Sequence, residues 1–280
     1  MTEDVALLKD VFIRKAMIYR LKELLLKNRA KWPLTDLYLV HPVLKSRECT
    51  PEFRQLVLDF INGKSQKEIC ELVNGAVATI LTYLLVGGEK DSKMVQDTTK
   101  WIKQQRLRDG GWHWKPIKLL SAEVRSEAWI SAGVFATLRI TEKANESYMD
   151  SILEFLRKDW ETRKWGGNPE VTLVYLGVAG LDKNNPMLEK AMELLRTNQL
   201  PNGAWPGYSA KTTKGGVFRT CVTLHALTAV GLGRDDASVV KGLQFTRSKL
   251  DKVVSAKWGG VLIQGFYSLT SALLQLGLID

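Results

Sequence analysis

Four times between residue 92 and the end of the chain, an amphipathic run meets a break rich in glycine and tryptophan and then a run that is apolar nearly all round. The amphipathic runs are Met94 to Arg106, Tyr148 to Trp160, Met187 to Asn198 and Val239 to Leu250. In the third of them Leu188, Ala191, Met192, Leu194 and Leu195 recur at helical spacing, with charges on the other face. That pattern predicts surface helices. The apolar runs are Ser121 to Leu138, Glu170 to Leu181, Val217 to Leu232 and Leu262 to Leu278. A helix without a polar face, such as Val171 to Leu176 or Leu269 to Leu274, belongs inside.

The breaks are Gly110-Gly111-Trp112, Trp165-Gly166-Gly167, Gly203-Ala204-Trp205 and Trp258-Gly259-Gly260. Their tryptophans are 53, 40 and 53 residues apart, the range of helical-pair repeats. In the stretch Asn198 to Trp205 the Pro201-Asn202-Gly203 turn stops the helix, Gln199 can cap backbone groups, and the Trp205 ring can cover the turn. The expectation is an all-α chain of paired outer and inner helices. Such pairs stack into a solenoid or a closed double ring, and the alternation does not choose between them.

Residues 1–91 are read as an N-terminal helical region whose helix pair, within 50–88, adds a fifth pair to the others, with the first helix and its connector completing a ring. One long helix is expected over residues 5–29, where Val11 to Lys31 carries seven Lys/Arg against the single acid Glu23. A basic amphipathic helix suits a membrane surface or phosphates, although such a face is often simply solvated. Residues 34–50 read as a connector of low regularity. Thr50-Pro51-Glu52 starts a helix to Ile61, stopped by Asn62-Gly63. Ser65 to Glu68 is a capping box opening a helix to about Asn74; Gly75 interrupts it, and apolar helix resumes to Val86. This last part also resembles the helix-turn-helix of DNA-binding proteins. Its second helix, Ala76 to Thr82, offers no Arg, Lys, Asn or Gln to base edges and reads as a buried helix.

The 280 residues carry a formal net charge of +10, which favours anionic partners without choosing among nucleic acid, lipid headgroups and diphosphates. Three scattered cysteines, Cys49, Cys70 and Cys221, imply no disulfide framework. With no secretory signal visible, a cytoplasmic location is expected, peripheral to a membrane if the first helix touches one.

Gln105 before Gly110-Gly111-Trp112 and Gln199 before Gly203-Ala204-Trp205 resemble the QW repeat of squalene-hopene cyclases and the related repeat of protein prenyltransferase β subunits. The resemblance covers residues 92–280. It implies an α/α toroid whose inner helices surround an apolar pocket for isoprenoid chains. It also implies two chemistries, neither with its full residue set. The cyclases protonate an alkene or epoxide with an Asp-x-Asp-Asp motif. The matching segment here, Glu123 to Ala128, keeps only the first acidic position and holds Arg125 where the proton donor belongs. Glu123 and Glu127 are the substitute acids. The prenyltransferases hold zinc by Asp-x-Cys and a later His. Here Arg219-Thr220-Cys221 and Gln264 stand in those places, and only the cysteine is kept. Cys221 and His225, one helical turn apart, are the remaining metal candidates, with His113 as a third ligand; the bland reading of both is core packing.

Arg125, Arg219 and Lys214 near inner-helix starts suit an anion such as diphosphate, or pair with Glu123 and Glu127. Trp129, Phe135, Tyr175, Phe218, Phe266 and Tyr267 are aromatic candidates for lining a pocket and facing a carbocation. The function expected is a terpene-cyclase-like, isoprenoid-binding protein. Substrate-binding residues would be Arg125, Arg219, Trp129, Phe218 and Tyr267. No cofactor is expected, apart from Mg2+ where the substrate carries a diphosphate. The alternatives are a non-catalytic toroid holding a lipid or a protein partner, and a DNA-binding protein using residues 50–86.

Overall fold

The computed structural model describes residues 22–23, 26–27, 33–47, 49–120, 124–207, 213–249 and 261–278. Most of the expected first helix, Glu123 and the Trp258 turn lie outside these residues. Among the described residues every element is helical and no strand occurs. The helices are α1 (His41–Lys45), α2 (Pro51–Asn62), α3 (Gln66–Ile69), α4 (Val73–Leu85), α5 (Lys93–Gln104) and α6 (Ala128–Thr141). There follow α7 (Glu146–Arg163), α8 (Pro169–Val178), α9 (Pro186–Thr197), α10 (Thr213–Ala229), α11 (Ala237–Arg247) and α12 (Val261–Gln275).

The chain packs as two compact units. One lies within Trp32–Tyr38 and Thr50–Leu181 and is called here the Trp112 unit; the other, within Leu39–Cys49 and Asp182–Asp280, is the Trp205 unit. In the Trp112 unit α6 is central, packed on α4, α5, α7 and α8. In the Trp205 unit α10 packs along α12 and against α11, and α12 touches α1. The central helices are those without a polar face. In α6 Ile130 to Leu138 are all buried, and α10 buries Thr220 to Thr228. The helices α5, α7, α9 and α11 each bury one stripe, such as Leu188, Ala191, Met192 and Leu195 of α9, and leave most of their charges in solvent, with Asp159 of α7 a buried exception.

Tryptophan fastens each pair. Trp112, Trp165 and Trp205 are fully buried. Each indole N–H donates to a carbonyl of the preceding surface helix: Trp112 to Ile102 at 2.7 Å, Trp165 to Leu156 at 2.9 Å, Trp205 to Leu195 at 2.6 Å. The backbone N–H of Trp112 donates to Ser131 Oγ of α6, and that of Trp205 to Thr220 Oγ1 of α10. A large apolar ring and two satisfied donors thus join the outer helix to the inner one.

The two turns share a backbone pattern that corrects the sequence register. Leu107 N–H donates to Gly111 O as Leu200 N–H does to Ala204 O, both at 2.8 Å. Asp109 and Asn202 accept from the N–H two residues on. This sets Arg106, not Gln105, opposite Gln199. Arg106 Nε donates to Gly110 O and its Nη2 to Ser151 of α7. Gln199 Nε2 donates to Gly203 O and to Ser238 O of α11. Gln105 instead accepts from Ile117 N–H at 3.1 Å.

Three other expectations change. Residues 34–45 are not irregular: a 3-10 turn over Leu34–Val40 leads into α1, because Leu37, Val40 and Leu44 fall at helical spacing and bury. The capping-box helix stops at Ile69, and the break falls at Cys70 to Leu72 rather than at Gly75. Gly75 lies inside α4 beside Leu34 and Thr35, with room for a methyl group. Residues 76–82, the second helix of the DNA-binding reading, are buried. The inner helix expected from Ser121 starts only at Ala128, since Ser126 and Glu127 are held extended by bonds described below.

Gly203 has φ +84°, and a Cβ there would collide with Lys241 O; Gly231 has φ +92° in open space. Gly231→Ala should therefore cost about 1 kcal/mol from backbone strain alone. Gly203→Ala should cost about 3 kcal/mol or more, as strain and collision add. Urea unfolding midpoints of the two variants check this; equal losses would mean that the Trp205 turn tolerates displacement.

Candidate functional site

In the Trp112 unit the segment after the tryptophan returns to start α6 at Glu127. Glu127 N–H donates to Trp112 O at 2.7 Å. The residue before it is clamped. Ser126 N–H donates to Asp109 Oδ2 at 3.0 Å, its hydroxyl donates to Asp109 Oδ1, and its carbonyl accepts from Arg163 Nη2 at 2.9 Å. Arg163 is itself paired with the buried Asp159, whose carboxyl is pushed up chiefly by burial. The clamp fixes the backbone from which the Glu127 side chain projects.

The Glu127 carboxyl is half-buried, and its Oε2 has no hydrogen-bond partner. Burial raises its pKa above the usual carboxylate range, against the opposing pull of a Trp129 hydrogen bond and the Arg163 charge. His113 Nε2 lies 3.7 Å from Glu127 Oε1. His113 Nδ1 accepts from Lys115 N–H at 3.1 Å, so in the neutral ring Nε2 carries the proton and faces Glu127. Burial, then the Lys115 charge, lowers the His113 pKa and keeps the ring neutral. The arrangement is a protonatable carboxyl with a neutral imidazole and an indole beside it, which suits proton donation.

Of the residues singled out in the sequence, the structure thus brings Glu127 and Trp129 together. Arg125 is exposed. Glu123 lies outside the described residues, as does the Lys214 side chain. His113 belongs to Glu127 rather than to a metal set. On α8 one apolar face, Val171, Val174, Tyr175 and Val178, is only partly covered, so that helix is not wholly interior. The Tyr175 ring packs over Gly133 of α6, and burial pushes its phenol up to about 12.

The remaining residues sit in the Trp205 unit. Phe218 and Arg219 are half-buried on α10. Cys221 is fully buried, and burial pushes its thiol up to about 12. His225 packs edge-on against Tyr267 of α12, ring centroids 5.4 Å apart. Among the described residues no three His, Cys, Asp or Glu side chains converge as around a metal ion.

Sequence reading passed over two residues here, His41 and Lys45, one turn apart on α1. His41 and His225 are both pushed down to about 3, first by burial and then by the Lys45 charge. Lys45 keeps solvent-accessible surface, yet burial lowers its pKa too. The only sequence signal was the basic residue four positions after a histidine in an apolar run.

No protein-family model matches the chain. The chain is 23% identical over 186 residues to lanosterol synthase of Mus musculus, a stretch that covers 62% of this chain and 25% of that protein. The chain therefore spans about a quarter of the length of the relative it matches. The similarity is weak and partial, and it is to a terpene-cyclase protein.

Both histidines take up protons more readily unfolded, at the ordinary 6.5, than folded, at about 3. Their contribution is intact above pH 6.5 and is lost as pH falls below it. Stability at pH 5 should drop by on the order of 1–2 kcal/mol per histidine. His225→Gln should flatten the pH dependence of the urea midpoint between pH 7 and pH 5 relative to wild type. An unchanged slope would mean that His225 is charged or exposed in the folded chain.

Proposed function

We propose that the chain is a terpene-cyclase-like, isoprenoid-binding protein of the α/α-toroid type, in which Glu127 donates a proton to an alkene. The observation that carries this reading is the half-buried Glu127 carboxyl, with a raised pKa and an unpartnered Oε2, beside the neutral His113 and the Trp129 indole. Protonating an alkene needs an acid that is reluctant to ionise and an aromatic surface for the cation that forms. The neutral His113 ring would hold its Nε2–H toward the carboxyl, and the carboxylate left after proton transfer would take its next proton from solvent. The alternation of charged and all-apolar helices and the similarity to lanosterol synthase support the architecture and the substrate class.

One observation favours a second reading. Arg125 occupies the place where the cyclase motif carries its proton donor, and it is exposed. Under that reading the chain holds a lipid or a protein partner without turning it over.

Incubation with squalene, farnesyl diphosphate and geranylgeranyl diphosphate, followed by mass spectrometry of the extracted products, separates the two. Catalysis predicts a cyclised product and a loss of about 100-fold or more in Glu127→Gln. Ligand retained in native mass spectrometry, with no product from any of the three, would favour the binding role and remove Glu127 as an acid.

A further inference from the structure

Between Trp112 and α6 the chain makes a loop with its stem closed: His113 at one end lies 3.7 Å from Glu127 at the other. The near half of this loop is pinned. Val73 N–H donates to Trp114 O at 2.9 Å, and Ile117 N–H to Gln105 Oε1 at 3.1 Å. Leu119 N–H and Leu120 N–H close a 3-10 turn onto Pro116 O and Ile117 O at 2.9 and 3.0 Å. Such a turn presents its side chains in fixed directions. Here it presents hydrophobic ones. Ile117 is 41% exposed and Leu119 59%, the highest value for a large hydrophobic side chain among the described residues.

The charged residues of the turn itself, within 114–120, are both lysines. Lys118 is exposed, and Lys115 Nζ sits 4.8 Å over the Trp114 ring. The tip is thus two aliphatic side chains flanked by a half-buried indole and basic residues. We infer that residues 114–120 are a contact site for an anionic lipid surface.

Size decides against a protein partner. A stable protein interface needs about 800 Å² on each side, far more than a single 3-10 turn offers. A bilayer needs no matching contour. Aliphatic tips enter the acyl boundary, Trp lies at the headgroup level, and lysines reach phosphates while their stems stay apolar. Because the turn is already hydrogen-bonded, insertion orders little chain. The net charge of +10 adds a longer-range attraction to the same surface. If Glu127 is the acid proposed above, the lipid surface also lies at the loop whose stem carries it; that step rests on the proposed function, whereas the lipid contact does not.

The test is flotation of the full chain with vesicles of phosphatidylcholine alone and with phosphatidylserine added, across a salt series. Binding should require phosphatidylserine and weaken as salt rises. Ile117→Ser/Leu119→Ser should lower partitioning at least about tenfold. Lys118→Glu should lower it on phosphatidylserine vesicles only. These positions are on the surface, and unchanged circular dichroism and melting confirm that the variants fold. No binding by the wild type overturns the inference. Wild-type binding that both variants retain also overturns it, since the contact then lies elsewhere, the basic stretch Val11 to Lys31 included. No substrate is present, so absence of turnover leaves the result intact, and failure of vesicle binding leaves the Glu127 chemistry to its own assay.

Discussion

The structure depends on one buried constraint: an indole with its N–H satisfied inside the helix that precedes it. Trp112, Trp165 and Trp205 each meet this condition, and each lies between a surface helix and a core helix. An indole buried without a partner costs more than the ring gains in fit, so the donor sets where the outer helix must lie. The glycines beside the rings follow from that placement. Gly110 and Gly203 take left-handed backbone, and Gly111 lets Phe155 press against the turn.

The candidate acid is a consequence of the same turn. Glu127 is where the chain leaves the extended segment bound to Trp112 and enters α6. Asp109, which shapes the turn, also holds Ser126, and Arg163 grips the same residue from α7. The carboxyl is therefore placed by backbone fixed from two sides, while burial and an unpartnered oxygen raise its pKa. The corresponding place in the Trp205 unit falls inside α10 and is taken by Gly216, whose carbonyl accepts from Thr220 as that of Glu127 accepts from Ser131. Of these two copies, one holds an ionisable side chain at that place and the other a glycine.

The Trp205 unit shows what burial does without such chemistry. Cys221 remains a protonated core thiol, and His225 an uncharged ring on Tyr267. His41 joins them through α1, a short helix in a stretch that reads as connector. Its apolar spacing was present in the sequence, but five residues are too few for periodicity to stand out against the surrounding polar positions.

The sequence by itself determined that the described residues are helical, that α5, α7, α9 and α11 show a face to solvent while α6 and α10 are interior, and that Gly-Trp turns stand at Trp112, Trp165 and Trp205. Those properties follow from local periodicity and from residues that break helices, and neither needs distant contacts. Tertiary structure decided the rest. It set Arg106 in the role of Gln199, because an arginine reaching Ser151 and a glutamine reaching Ser238 cap similar turns with different atoms. It moved the start of α6 to Ala128, because Asp109 and Arg163 hold the preceding backbone from seventeen or more residues away. It also paired His113 with Glu127, fourteen residues apart, as the loop closed. Side chains distant in sequence acquire a shared environment only when packing brings them together, and no pattern of spacing encodes that.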